Sequence, residues 1–159
     1  MKSKITEIKW AVIFVITALL WMLLERLTGL HSTHIDKHMI YTNLFAIPAI
    51  AIYVFALLDK RKRDYGGQMS YKQSFISGLI ITAIVTLLNP LSQYIISTII
   101  SPDFFNNAIK HAVNAGEMTR QEAESYFTLK SYIIQGFIGT PAMGILTTAI
   151  VSFFVKRRD

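Results

Sequence analysis

The chain has 159 residues, of which 52% are hydrophobic and only 16% charged, with a net charge of +6 and no cysteine. The missing thiols exclude disulfides, thiolate metal sites and cysteine nucleophiles. Ordinary globular chains carry roughly 25% charged residues. The lower fraction here and a positive mean hydropathy point to a membrane protein. The basic residues flank apolar runs, which fits topology and anionic lipid rather than nucleic acid.

Lys2, Lys4 and Lys9 lead into the first apolar run. No small-residue cleavage site closes that run; Leu23-Leu24-Glu25-Arg26 follows instead, so it reads as an uncleaved first span over about residues 8–28. Its uninterrupted apolar part, Trp10–Leu24, is only about 22 Å long as a helix. Glu25 and Arg26 must therefore sit near the far interface. Ionisable residues inside a span are candidate functional groups, with an interfacial role as the plainer reading. Adjacent residues diverge on a helix, so Glu25 would pair with Lys37 or a loop histidine rather than with Arg26.

The loop Gly29–His38 gathers His31, His34, Asp36 and His38. Imidazoles at this density are weak candidates for a metal site, but their spacing matches no helical metal motif. A solvated interfacial loop is the expectation, so no cofactor is assigned. Residues 39–58 form a second span containing Asn43 and Pro48. The loop Asp59–Lys72 follows, with Lys60-Arg61-Lys62-Arg63 as a topology signal or an anionic-lipid contact and Gly66-Gly67 as a turn.

The third span, about 73–100, lies in a stretch free of Asp, Glu, Lys, Arg and His from Gln73 to Pro102. A bilayer core takes about 20 apolar residues, so this longer run must tilt or kink. Ser74, Gly78, Thr82 and Thr86 recur every fourth residue within it, and Asn89-Pro90 places an amide beside a helix breaker. The fourth span, about 131–155, has a similar row in Gly136, Thr140, Gly144, Thr148 and Ser152. Membrane helices associate through small residues and interhelical hydrogen bonds, so the two rows are expected to pack against each other. Asn43, Asn89, Gln93 and Gln135 read as interhelical glue, with a small polar pocket as the alternative.

Residues 101–130 read as a two-helix hairpin. Ser101-Pro102-Asp103 is a helix start, Gly116 a stop, and Thr119-Arg120-Gln121-Glu122 a capping box with Met118 placed to staple onto Ala123. The second helix is expected to run on into the fourth span. Phe104, Phe105, Ile109 and Tyr126 are its candidate partner contacts.

Orientation follows the basic residues. Four spans with the N-terminus inside keep Lys2, Lys4, Lys9, Lys60, Arg61, Lys62, Arg63, Lys72, Lys156, Arg157 and Arg158 on the cytoplasmic side, against Arg26, Lys37, Lys110, Arg120 and Lys130 outside. The fold class is thus all-α: one transmembrane domain over 1–159, an integral membrane four-helix bundle with an extracytoplasmic two-helix hairpin between the third and fourth spans.

The segment Gly67-Gln68-Met69-Ser70-Tyr71-Lys72-Gln73-Ser74-Phe75 leading to Gly78, together with Ser101-Pro102-Asp103-Phe104-Phe105, Met118-Thr119 and Gln121-Glu122-Ala123, resembles a bacterial family known as domain of unknown function 4199, common in Bacteroidetes-type bacteria. The resemblance covers almost the whole chain. It implies a four-span inner-membrane protein and brings no activity, cofactor or catalytic residue. No nucleotide loop, nucleophile elbow or HExxH is present. The reading is a non-enzymatic interaction, scaffold or accessory subunit with the lipid bilayer and a protein partner or second copy around it. A small-solute or lipid transporter with a pocket near Asn43 and Asn89 is the alternative, and a metal-dependent membrane enzyme at the histidine loop is the third.

Overall fold

A computed structural model describes residues 4–157, so the end residues Lys2 and Arg158 of the topology argument lie outside it. Among the described residues the chain is helical, with one antiparallel bridge between Met69 and Arg157. Four stretches are long and apolar enough to cross a bilayer: Ile5–Leu27, Ile35–Tyr65, Tyr71–Ile100 and Leu129–Val155. Their outer faces carry large apolar side chains in the open, such as Leu87 at 74% and Phe154 at 78% exposure. Such continuous apolar surface suits lipid rather than water.

α1 (Ile5–Leu27) is unbroken. The second span is not. A 3-10 turn at Ile35–Lys37 leads to α2 (His38–Thr42), and a second 3-10 turn at Asn43–Phe45 separates α2 from α3 (Ala46–Tyr65). Pro48 lies in the first turn of α3 and offers no N–H to the preceding turn. The Asn43 amide donates to the Met39 carbonyl at 2.6 Å, competing with the helical ladder at the break. At its far end α3 runs past the expected loop start at Asp59. The i,i+4 pairs Asp59–Arg63 and Lys60–Asp64, each 2.6 Å, carry it on to Tyr65. Gly66 and Gly67, both with positive φ, then end it.

α4 (Tyr71–Ile95) continues into a π-helical turn, Ile96–Ile100. Thr98 Oγ1 donates to the Tyr94 carbonyl at 2.6 Å and Ser101 N–H reaches back to Ile96 O at 2.7 Å, an i to i−5 bond that widens the turn. α5 is Phe104–Asn114. Ser101 does not cap it: it closes the π turn, and Asp103 holds the cap position without a side-chain hydrogen bond. The α5 stop is a Schellman turn: Gly116 at φ +71°, with Glu117 N–H on Ala112 O and Gly116 N–H on Val113 O. α6 (Arg120–Tyr126) has the full capping box between Thr119 and Glu122. It does not run into α7 (Leu129–Val155), because the chain bends at Phe127 and the Thr128 hydroxyl accepts from Ser131 N–H at 3.1 Å to start a new helix.

The contacts divide into two compact units. The first takes in residues up to Ile16, Ala46–Leu88 and the chain from Phe137; the second takes in Thr17–Phe45 and Asn89–Gly136. The first unit's core is Ala11, Tyr53, Ala56, Leu57, Met69, Ile81, Val85, Val151 and Val155. Alanines at 11 and 56 let backbones approach closely. Reciprocal N–H···O bonds of 3.0 Å between Met69 and Arg157 hold Met69 in this core, and the Arg61 guanidinium donates to the Val155 carbonyl at 2.6 Å, closing the end of α7.

Candidate functional site

Two buried polar centres stand out, one in each unit. In the first unit, Lys60 is only 3% exposed and donates to Glu7 Oε2 at 2.9 Å, with Asp64 at 2.6 Å on its other side. Ser77 Oγ donates to Glu7 Oε1 at 2.8 Å, and Thr6 Oγ1 to Asp64 at 3.3 Å. A buried charge survives only when paired and hydrogen-bonded, and every charge here is. Beside this centre, Asp59 accepts from Lys9 at 2.6 Å, the Trp10 indole at 2.8 Å and Arg63 at 2.6 Å. The network ties α1, α3 and α4 together and has no open coordination. Of the expected lipid-binding cluster, Lys60 thus points inward and Arg61 to the α7 end, which leaves Lys62 and Arg63 exposed.

The second centre is built on Glu25, which is 2% exposed near the end of α1. Trp21, one turn earlier, donates its indole N–H to Glu25 Oε1 at 2.5 Å. The other oxygen, Oε2, faces two imidazoles: His31 Nε2 at 3.1 Å and His38 Nδ1 at 3.3 Å. His31 is 3% exposed and His38 21%. Gly29, at φ +80°, turns the chain back after α1, and the 3-10 turn Ile35–Lys37 delivers His38 beside His31. Asn107 of α5 donates to the His31 carbonyl at 2.9 Å and fixes the loop. Phe104 covers both rings, its centroid 4.9 Å from His31 and 5.0 Å from His38.

The geometry leaves this centre short of partners. His38 Nδ1 lies 3.3 Å from Glu25 Oε2 without completing a hydrogen bond, and His31 Nδ1 is buried with no hydrogen-bond partner. An unsatisfied buried polar group costs about 1–3 kcal/mol. The three donor atoms nearest one another, one from each of Glu25, His31 and His38, lie within 4.8 Å. His34, read with them in the sequence, is absent from the group; it is exposed and lies 3.1 Å from the Thr33 hydroxyl. Arg26 faces outward as well.

The remaining expected residues fall as follows. In the first unit a Cβ at Gly78 would overlap the Thr148 side chain, and one at Gly144 would overlap Thr82, so each glycine receives a threonine from the other helix. Ser74, Thr148 and Ser152 are fully buried with unpartnered hydroxyls, so they act by size. Thr82 also bonds the Tyr53 hydroxyl at 2.7 Å, and Thr86 donates to the Thr82 carbonyl at 2.8 Å. Thr140 is half-buried. In the second unit Asn89 donates to Ile133 O at 3.0 Å, and its amide fills the space a Cβ at Gly136 would need. Asn43 is exposed and bonded within its own turn, Gln93 is half-buried, and Gln135 bonds Ser131 and Tyr126.

The hairpin contacts need correcting. Phe104 is 8% exposed and packs inward on His31, His38 and Tyr132. Phe105 stacks edge-on against Tyr132 and Ile109 is half-buried. Tyr126 alone of the four is exposed, at 43%. It borders an open groove of about 670 Å³ lined also by Glu117, Met118, Gln121, Glu122, Ser125 and Ser131.

Sequence reasoning missed Glu7, Ser77, Asp64, Trp21 and Asn107. The i,i+4 spacing of Lys60 with Asp64 and of Trp21 with Glu25 was there to find. Ser77 and Asn107 carry no local signal, because only the folded chain brings them to Glu7 and His31.

One protein-family model, described as "Protein of unknown function (DUF4199)", matches residues 9–157. No curated protein and no solved structure matches the chain.

Proposed function

The chain belongs to the DUF4199 family, and from that premise we propose that it works as a non-enzymatic accessory or scaffold subunit of the bacterial inner membrane. Its N- and C-termini are cytoplasmic, its α5–α6 hairpin extracytoplasmic, and a protein partner docks on that hairpin. The observation that carries this reading is the engagement of Asn89, Asn43 and the Glu7–Lys60–Asp64 charges by the protein itself. The Asn89 amide is held by Ile133 O and Gly136, Asn43 bonds its own helix, and the Glu7–Lys60–Asp64 charges satisfy one another. A solute path needs such groups turned toward a hydrated cavity, so this engagement favours contact over transport. The one turn of the hairpin is capped on both sides, by the Gly116 Schellman turn that ends α5 and the Thr119–Glu122 box that starts α6, and a pre-formed surface loses little entropy when it binds.

The exposed groove beside Tyr126 replaces Phe104 as the docking surface. Its acidic and aromatic lining suits a partner segment with a basic residue among apolar ones. The test is a photo-crosslinking residue placed at Gln121 or Tyr126 in native membranes. A discrete protein adduct from these positions, with none from Lys4 on the opposite side, is the expected result. Equal, diffuse labelling from both would overturn the reading.

A further inference from the structure

We propose that Glu25, His31 and His38 form a binding site for one divalent transition ion of the zinc class, held by Glu25 Oε2, His31 Nε2 and His38 Nδ1. The proposal is independent of the scaffold reading: a structural ion serves a scaffold and an enzyme equally.

Four observations meet here. The donor set is two imidazoles and one carboxylate, the borderline ligands that zinc and its neighbours take. Two of the three donor separations already match such a site. Metal–ligand distances of about 2.0–2.1 Å give a tetrahedron with edges of about 3.3 Å. Glu25 Oε2 lies 3.1 Å from His31 Nε2 and 3.3 Å from His38 Nδ1, with all three donors within 4.8 Å of one another. His38 Nδ1 is buried 3.3 Å from Glu25 Oε2 and makes no hydrogen bond of good geometry, so a ligand atom faces the cluster with its pairing incomplete. Finally, the ligands are themselves held. Trp21 fixes the second carboxylate oxygen at 2.5 Å, Asn107 fixes the His31 backbone at 2.9 Å, and Phe104 roofs both rings. Such outer partners orient the ligands of metal sites and exclude competing water.

Three protein ligands leave a fourth position open to water or a small anion. The single carboxylate offsets one of the two charges of the ion, so the occupied site carries net positive charge. His38, the most exposed ligand, marks the entry side.

The experiment is a titration of the full chain, in detergent or lipid discs, with any purification tag removed and with chelator-stripped buffer. Co²⁺ serves as the visible probe and Zn²⁺ as the competitor. One Co²⁺ per chain, with the intense visible bands of four-coordinate cobalt and displacement by Zn²⁺, is the expected result. His31→Ala and His38→Ala abolish the bands, while His34→Ala and His111→Ala keep them. Trp21→Phe weakens binding by roughly tenfold. No saturable binding to the wild-type chain, bands that persist in His31→Ala, or an equal loss in His34→Ala would overturn the site and leave a carboxylate–imidazole cluster that shares only protons. Should an alanine variant fail to insert, the wild-type titration decides alone.

Discussion

Lys60 is the residue at which the sequence was most misleading. In a run of four basic residues it reads as one more cytoplasmic charge, yet it is buried between Glu7 and Asp64. Removing one partner of such a pair strands the other, at about 3–5 kcal/mol. Lys60→Met is therefore expected to lower resistance to denaturing detergent by that amount, and Glu7→Leu/Lys60→Met to lose less than Lys60→Met alone. Equal losses would show that Glu7 is not stranded. Glu122 gives a pH prediction outside the spans. Hydrogen bonds from the Thr119 hydroxyl and the Thr119 backbone N–H hold its pKa below the ordinary value near 4.5. A lowered folded pKa gives stability that is full above the unfolded value and lost as pH falls through the folded one. The protection factors of the α6 amides, taken relative to the intrinsic exchange rate at each pH, should accordingly fall in acid below about pH 4.5, and Glu122→Gln should flatten that response.

Among the elements, the helices themselves were legible because length and hydropathy suffice for a span. The Gly116 stop and the Thr119–Glu122 box were legible because each is a local motif with its own stereochemistry. The breaks were harder. The 3-10 turn at Asn43–Phe45 and the π turn at Ile96–Ile100 depend on side chains that compete for backbone carbonyls, and hydropathy does not register that competition. The histidine loop was half legible. Its imidazoles are visible in the sequence, and the sequence leaves Glu25 to pair with either Lys37 or a loop histidine, but which two of three histidines converge is set by Gly29 and the Ile35–Lys37 turn. The small-residue rows make an element-scale prediction. Gly78→Val or Gly144→Val drives a side chain into the facing threonine and should destabilise the chain by about 1–3 kcal/mol in a detergent-unfolding assay. Gly139→Val, which meets nothing within 4 Å, should not.

For the whole molecule, the account stands on a four-span membrane protein whose two polar centres differ in kind. The Glu7–Lys60–Asp64 network is complete, a fastener among α1, α3 and α4. The Glu25–His31–His38 centre is under-paired, and it belongs with the hairpin that the partner is proposed to meet. The proposed function places that hairpin outside the cytoplasm. The chain has no cysteine, so a single introduced thiol reports its side of the membrane without background. The decisive measurement is labelling of spheroplasts with a membrane-impermeant maleimide, using Lys110→Cys in α5 and Lys62→Cys at the end of α3, both at exposed positions. Labelling of Lys110→Cys in intact spheroplasts, and of Lys62→Cys only after permeabilisation, is the predicted result; the reverse pattern, or both positions reacting before permeabilisation, would contradict the account.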